Sequence, residues 1–196
     1  AQKKGVKVLL DGQGMDEAWA GYDYYHNQSD NVIQGVTTSP VKPEVLIADF
    51  ANLAEKEVYP KPFASTMQNK QYRDIFYTKI PRALRFNDRI SMLHGTELRE
   101  PFLDYRLVEL AFTQSDIVKY NQGNTKWLLR QISQELLSDQ VALAPKRPLQ
   151  TPQREWIAKE LNLYVSEKIQ QFGQLDFVNQ EKVQQIWQDY RNGNQD

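Results

Sequence analysis

The sequence predicts a mainly α-helical fold that keeps a single β-strand near its N-terminal end. Two observations carry this. From Pro43 onward, segment after segment repeats apolar residues at three- and four-residue spacing, the mark of amphipathic helices. Only the stretch from Val6 to Leu10 is β-branched and apolar without that spacing, and it reads as a short buried strand. A buried parallel strand needs neighbours on its edges, and no downstream segment offers one.

Composition narrows the class. The 196 residues suffice for one ordinary domain with a proper core, and the net charge of −1 with a pI near 6.2 gives no general attraction to nucleic acid or anionic membrane. The absence of cysteine excludes disulfides, thiolate metal sites and a cysteine nucleophile within these residues, and it fits a reducing compartment. Apolar runs are too short to cross a bilayer. The chain reads as a soluble protein of the cytoplasm.

The strand runs into Asp11-Gly12-Gln13-Gly14-Met15-Asp16-Glu17. Gly12 and Gly14 are expected to supply positive φ or close backbone approach. Asp16 and Glu17 then begin a helix, where exposed N–H groups and the macrodipole favour carboxylates. Strand, glycine turn and helix start together form a common phosphate or metal–phosphate site. The plainer reading is an ordinary tight turn with a capping aspartate. Neither a Walker-type nor a dinucleotide fingerprint fits, because no Gly-Lys-Ser/Thr follows and the third glycine is missing.

Residues 23–39 read as a polar loop, with Tyr22, Tyr24 and Tyr25 as aromatic surface. Leu46, Phe50 and Leu53 predict a helix from Pro43 to about Val58. Met67, Tyr72, Ile75 and Phe76 predict inward positions on a second, from about Thr66 to Lys79. Pro81 opens a third, to about His94, through Leu84, Phe86, Ile90 and Leu93. Glu97 to Leu103 reads as a connector. Asp104 caps a helix carrying Leu107, Val108, Leu110 and Ala111. Asn124 or Thr125 caps the next, with Leu128, Ile132 and Leu136 on one face. Pro145 and Pro148 keep 141–150 irregular, and Thr151-Pro152 restarts a helix through Ile157, Leu161, Val165 and Ile169. The last helix uses Val183, Ile186, Trp187 and Tyr190, before a Gln/Asn-rich tail.

Three polar segments interrupt this pattern: Asn87 to Met92, Glu97 to Asp104 and Ala144 to Pro148. Taken singly, each is a salt-bridged helix end or solvated loop, and exposed pairs of that kind are worth about 0–1 kcal/mol. His26 and His94 lack ligand spacing and suggest no metal site.

Read in order, Leu10 to Tyr22, Asp88 to Asp104, Lys126 to Arg130, and Pro145-Lys146 followed by Trp156 resemble signatures of the synthetase domain of glutamine-hydrolysing asparagine synthetases and their relatives, across residues 6–160. The resemblance implies that 1–196 is the C-terminal helical part of an α/β ATP-pyrophosphatase (adenine nucleotide α-hydrolase-like) domain. Residues 6–22 would supply strand, turn and acidic motif, and 43–196 the helical region. It implies ATP and Mg²⁺, activation of a carboxylate (aspartate by family) as an acyl-adenylate, and displacement of AMP by ammonia drawn from glutamine. Negative charge builds on the leaving pyrophosphate, so such a site needs a metal and fixed cations. By resemblance, Asp16 is the candidate Mg²⁺–pyrophosphate ligand and Lys146 the cation meeting the α-phosphate. Gln13 and Glu17 join Lys146 as candidate catalytic residues. Gly12, Gly14, Arg99 and Lys126 are candidates for cofactor binding and orientation, while Arg99–Asp104 and Asp88–Arg89 are expected as structural pairs.

Departures matter as well. Gln13 stands where the family usually has an acid, and an amide cannot act as a base. With Asp11 and Met15 also altered, the variant looks like a branch associated with surface-polysaccharide gene clusters, and another carboxylate, such as a sugar acid, becomes an alternative acceptor. Neither the glutaminase domain's nucleophilic cysteine nor a Ser-Gly-Gly-x-Asp-Ser loop occurs in these residues. The expectation is therefore a part that acts with the rest of its own chain, and with a second copy in a homodimer, but is inactive alone. The alternative is a non-catalytic helical scaffold that self-associates through exposed Trp19, Tyr22, Tyr24 and an unpaired strand edge.

Overall fold

Strand β1 is Val8–Leu10, and it does have a downstream neighbour: Glu97–Arg99 (β2) pairs with it in parallel, Val8 opposite Glu97 and Leu10 opposite Arg99. This computed structural model describes residues 1–27, 42–55, 57–146 and 152–193. The ladder is extended by Glu97 N–H to Lys7 O (2.7 Å) and Asp11 N–H to Arg99 O (2.9 Å). The expected connector is thus half strand. Three residues are too few to show a two-residue period, and two of the three are charged, which hid β2 from pattern reading. β1 is exposed at all three positions rather than buried, because a two-stranded sheet covers little of its own faces.

The described residues fall into two units, Ala1–Gly35 with Val58–Lys146, and Val36–Glu57 with Arg147–Asp196. In the first, helices follow as α1 Met15–Ala18, α2 Thr66–Phe76, α3 Lys79–Leu93, α4 Tyr105–Thr113, α5 Asp116–Lys119, α6 Trp127–Leu136 and α7 Asp139–Ala142. Ser65 caps α2 by accepting the Gln68 N–H, and Asp104 caps α4 by accepting the Arg106 N–H. Pro81 lies in the first turn of α3, where its missing N–H is not needed. One core joins Ala18, Trp19, Ile75, Ile80, Val108 and Ala111. A second joins Ala20, Tyr24, Tyr25 and Met67.

Several expectations fail in this unit, each for a physical reason. Tyr24 and Tyr25 are 1% and 3% exposed, not surface, since both hydroxyls donate to Asp74 (2.6 and 2.9 Å) and bury their rings around it. Trp19 is core as well. Phe76, Phe86, Ile90 and Leu93 keep helical spacing yet face solvent. Asn124–Thr125 does not cap α6. It forms β4, paired antiparallel with Tyr120–Asn121 (β3) around Gln122 (φ 48°) and Gly123 (φ 79°), both left-handed as a two-residue hairpin turn requires. The residue preceding α6 is Lys126, itself left-handed at φ 54°.

In the second unit, Pro43–Val45 is a 3₁₀ turn and Ala48–Ala51 a single helical turn, not one helix to Val58. Between them the backbone is extended, because Leu46 bridges Val178, Ile47 N–H donates to Phe177 O, and Asn179 N–H donates to Val45 O. The helix expected through Ile169 splits at Lys159 into α8 Gln153–Ala158 and α9 Asn162–Phe172. α9 packs on α10, Gln180–Arg191, where the Trp187 indole donates to Ser166. Expectations for 28–41, 147–151 and the end of the tail lie outside the described residues.

Candidate functional site

The turn after β1 is built by one glycine rather than two. Gly14 precedes α1 at φ 92°, and a Cβ there would strike Leu103, whereas Gly12 has ordinary φ and open space around it. α1 is a single turn carrying Asp16 and Glu17 in its first positions. Gly21 follows it closely, its N–H donating to Asp16 O at 2.7 Å.

Asp16 lies between two ammonium groups from distant parts of the chain. Lys126 Nζ is 3.0 Å from Oδ1, and Lys146 Nζ donates to Oδ2. Burial would raise the Asp16 carboxyl, but the Lys146 hydrogen bond and the Lys126 charge outweigh it and hold the group below the ordinary carboxylate range. Oδ1 is sealed from solvent, and Lys126 reaches it as an ion pair without a well-aligned hydrogen bond.

Glu17, the next residue, is treated in the opposite way. It is 3% exposed and accepts a hydrogen bond from the Tyr22 hydroxyl at 2.9 Å. Burial pushes its carboxyl above the usual range against that hydrogen bond. Burial and Glu17 together drive the Tyr22 hydroxyl upward too. Lys79 sits 3.8 Å from the Tyr22 ring centroid, with its ammonium lowered first by burial, and Lys146 lies 5.5 Å from the same ring. Spacing gave no hint of Lys79, which precedes the α3 proline as an unremarkable cation.

Arg130 was only the end of a motif in the sequence, but it holds both lysine-bearing segments. Its Nε donates to Thr125 O (2.8 Å), and its Nη1 donates to Ala142 O and Ala144 O (each 2.9 Å). Thr125 precedes Lys126, and Ala144 stands two residues before Lys146.

The other candidates are placed elsewhere. Arg99 pairs with Glu97 on the surface (2.7 Å), and Asp104 pairs with Arg106, so the expected Arg99–Asp104 pair is not formed. β pairing explains this: Arg99 and Glu97 fall on the same side of β2, two residues apart. Gln13 is half-buried. Its main-chain N–H faces Glu100, whose carboxyl is raised by burial and then by Asp11, and whose two oxygens are sealed without a hydrogen bond. His26 stacks on Tyr120 and bonds Ala20 O.

Among the described residues no three or more His, Cys, Asp or Glu side chains gather as a metal site. Asp16 can serve as a lone carboxylate ligand to a hard divalent cation whose remaining positions are filled by phosphate oxygens and water, as Mg²⁺ prefers. Two lysines converging on that carboxylate can neutralise a multiply charged anion.

The geometry is thus a carboxylate after a glycine turn met by lysines from two later segments, beside a parallel strand pair. The chain belongs to the asparagine synthase family, whose model matches residues 1–196. It is 23% identical to asparagine synthetase [glutamine-hydrolyzing] 1 of Bacillus subtilis, over 96% of this chain and 37% of that protein. It is 26% identical to asparagine synthetase [glutamine-hydrolyzing] 3 of the same organism, over 74% of this chain and 26% of that one. A putative asparagine synthetase [glutamine-hydrolyzing] 1 of Methanocaldococcus jannaschii is 24% identical over 76% and 28%. The chain thus spans between about a quarter and little more than a third of the length of the curated relatives it matches. No solved structure matches it significantly.

Proposed function

We propose that these residues form the pyrophosphate side of an ATP-dependent, amide-forming ligase of the asparagine synthase type. The observation that carries the reading is Asp16 held between Lys126 and Lys146. In this reading the helical body is the C-terminal part of an ATP-pyrophosphatase domain, and it works with further sequence corresponding to the rest of its relatives' length. Exposed apolar residues on β1 and α3, such as Leu10, Ile90 and Leu93, support that partnership.

The chemistry follows from charge. Activation of a carboxylate by ATP expels pyrophosphate, and Mg²⁺ supplies charge neutralisation at the phosphate oxygens. Asp16 would hold the metal, while Lys126 and Lys146 turn from Asp16 to the phosphate oxygens as these gain charge. Glu17, its carboxyl raised where that of Asp16 is lowered, would act through Tyr22 to fix the ring against which Lys79 and Lys146 rest. Aspartate is the acceptor by family. Gln13, which cannot act as a base, leaves another carboxylate open as the acceptor, with glutamine-derived ammonia as the nitrogen source in either case.

ATP–pyrophosphate exchange in a protein that includes the complete synthetase domain, with a panel of carboxylates, tests the reading. Asp16→Asn and Lys146→Met should each lower exchange by about 10²–10³, and the 196 residues alone should give none. Unchanged exchange in Lys146→Met would overturn the assignment.

A further inference from the structure

The segment 116–126 reaches α1 by three separate routes. Lys119 is fully buried, and its ammonium donates to Gln71 Oε1 at 3.0 Å. Gln71, equally buried on α2, passes this on: its Nε2 donates to Glu17 O and Ala18 O, each at 2.8 Å. Those carbonyls lie at the C-terminal end of a one-turn helix and have no intrahelical partners of their own. Tyr120, one residue on, stacks on His26 at 3.8 Å, and His26 Nε2–H donates to Ala20 O at 3.0 Å, the residue held at φ 57° just beyond α1. Lys126, at the end of the hairpin, meets the Asp16 carboxylate from the other side.

A buried ammonium is costly, and a core amide facing an apolar neighbour would serve packing as well. Lys119 has the Phe112 ring at 5.4 Å and the charge of Asp116 on its own helix, and no counter-ion on α2. What its charge does is polarise the Gln71 amide, strengthening both bonds to α1. The geometry points to the 116–126 segment as a clamp on α1, in which Lys119, Gln71 and His26 are positioning residues that set where Asp16 stands between its lysines. The clamp joins Asp16 and Lys126 to one rigid piece of chain, so the acid and one of its cations are fixed by the same hairpin.

The functional consequence rests on the pyrophosphate reading above; the clamp itself does not. Lys119→Met, His26→Phe and His26→Gln would be compared in the full chain. Two readouts are taken: hydrogen exchange of residues 15–21 and calorimetric binding of Mg²⁺–pyrophosphate. Lys119→Met and His26→Phe should speed exchange in 15–21 about tenfold while 127–136 is unchanged, and weaken pyrophosphate about 10–100-fold. His26→Gln, which keeps an N–H donor for Ala20 O, should restore both. Should Lys119→Met fail to fold, the two His26 variants carry the comparison. Wild-type exchange and affinity in His26→Phe, or no rescue by His26→Gln, overturns the clamp. If the unaltered protein binds no pyrophosphate, the functional reading falls, and exchange in 15–21 still decides the clamp.

Discussion

Gly21→Ala is the sharpest perturbation of the candidate site that removes no charged group. A methyl at Gly21 would lie 2.8 Å from the Asp16 α-carbon and 2.7 Å from its Cγ, and closer still to Oδ1. The α-carbon belongs to the backbone, so no rotamer change at Asp16 relieves that clash. Asp16 O also accepts the Gly21 N–H, so the two residues cannot part without losing that bond. Forcing a methylene-sized group into packed structure costs about 1–3 kcal/mol. For a domain of this size that lowers the melting temperature by roughly 3–10 °C. The same push moves the Asp16 carboxylate relative to Lys126 and Lys146. A displacement near 1 Å can cost about 10²-fold in a positioned site. Thermal unfolding and calorimetric Mg²⁺–pyrophosphate binding check both numbers. Wild-type melting would refute the packing argument, and wild-type affinity would refute the placement of Asp16 at the site.

Two further outcomes follow from buried groups. Asp74 is fully buried and accepts from Tyr24, Tyr25, Thr78 and Arg73, so Tyr24→Phe removes a bond to a charged acceptor and should cost about 1.5–3 kcal/mol in a denaturant titration. Lys119 is pushed down to about 8 by burial, against the opposing charge of Asp116, from an ordinary value of 10.5. Below about pH 8 both folded and unfolded forms carry the proton, and folding bears the full cost of burying it. Between about 8 and 10.5 the unfolded chain binds more protons, so this group's contribution to stability rises with pH. Wild type should therefore gain at most about 2 kcal/mol on Lys119→Met between about pH 7 and pH 9.5, measured by urea unfolding of both proteins. A difference that stays flat with pH would show that Lys119 is not a buried cation.

The helices were legible where amphipathic spacing and a cap agreed, as at Asp104. They were lost where tertiary pairing took over the backbone. Leu46 shares helical spacing with Phe50 and Leu53, but its bridge to Val178 and the Ile47 N–H bond to Phe177 O hold this stretch extended. β2 escaped because three residues with two charges show no period, and only its partner in β1 makes it a strand. Of the candidate site, the strand and glycine turn marked the acidic pair, while the roles given to Asp16, Lys126 and Lys146 came only from the family resemblance. Arg130, Lys79, Gln71 and Lys119 could not be. Each acts through a main-chain carbonyl, a ring face or an amide, and such partners leave no mark in residue type or spacing. Tyr24 and Tyr25 misled for the same reason: a tyrosine in a polar stretch looks exposed until the buried aspartate it serves, fifty residues on, is in view.

Asp16 and Glu17 are neighbours in the chain with the same functional group, yet their surroundings drive them apart. On a one-turn helix, consecutive side chains point in directions about 100° apart. One therefore faces the gap between Lys126 and Lys146, and the other faces the core against Tyr22. The first is held below the ordinary carboxylate range, its two lysine partners outweighing burial. The second has its carboxyl raised by the same burial that the first overcomes with two cations. Glu17 is turned to Tyr22 instead, so Lys126 and Lys146 pair with Asp16 and not with its neighbour.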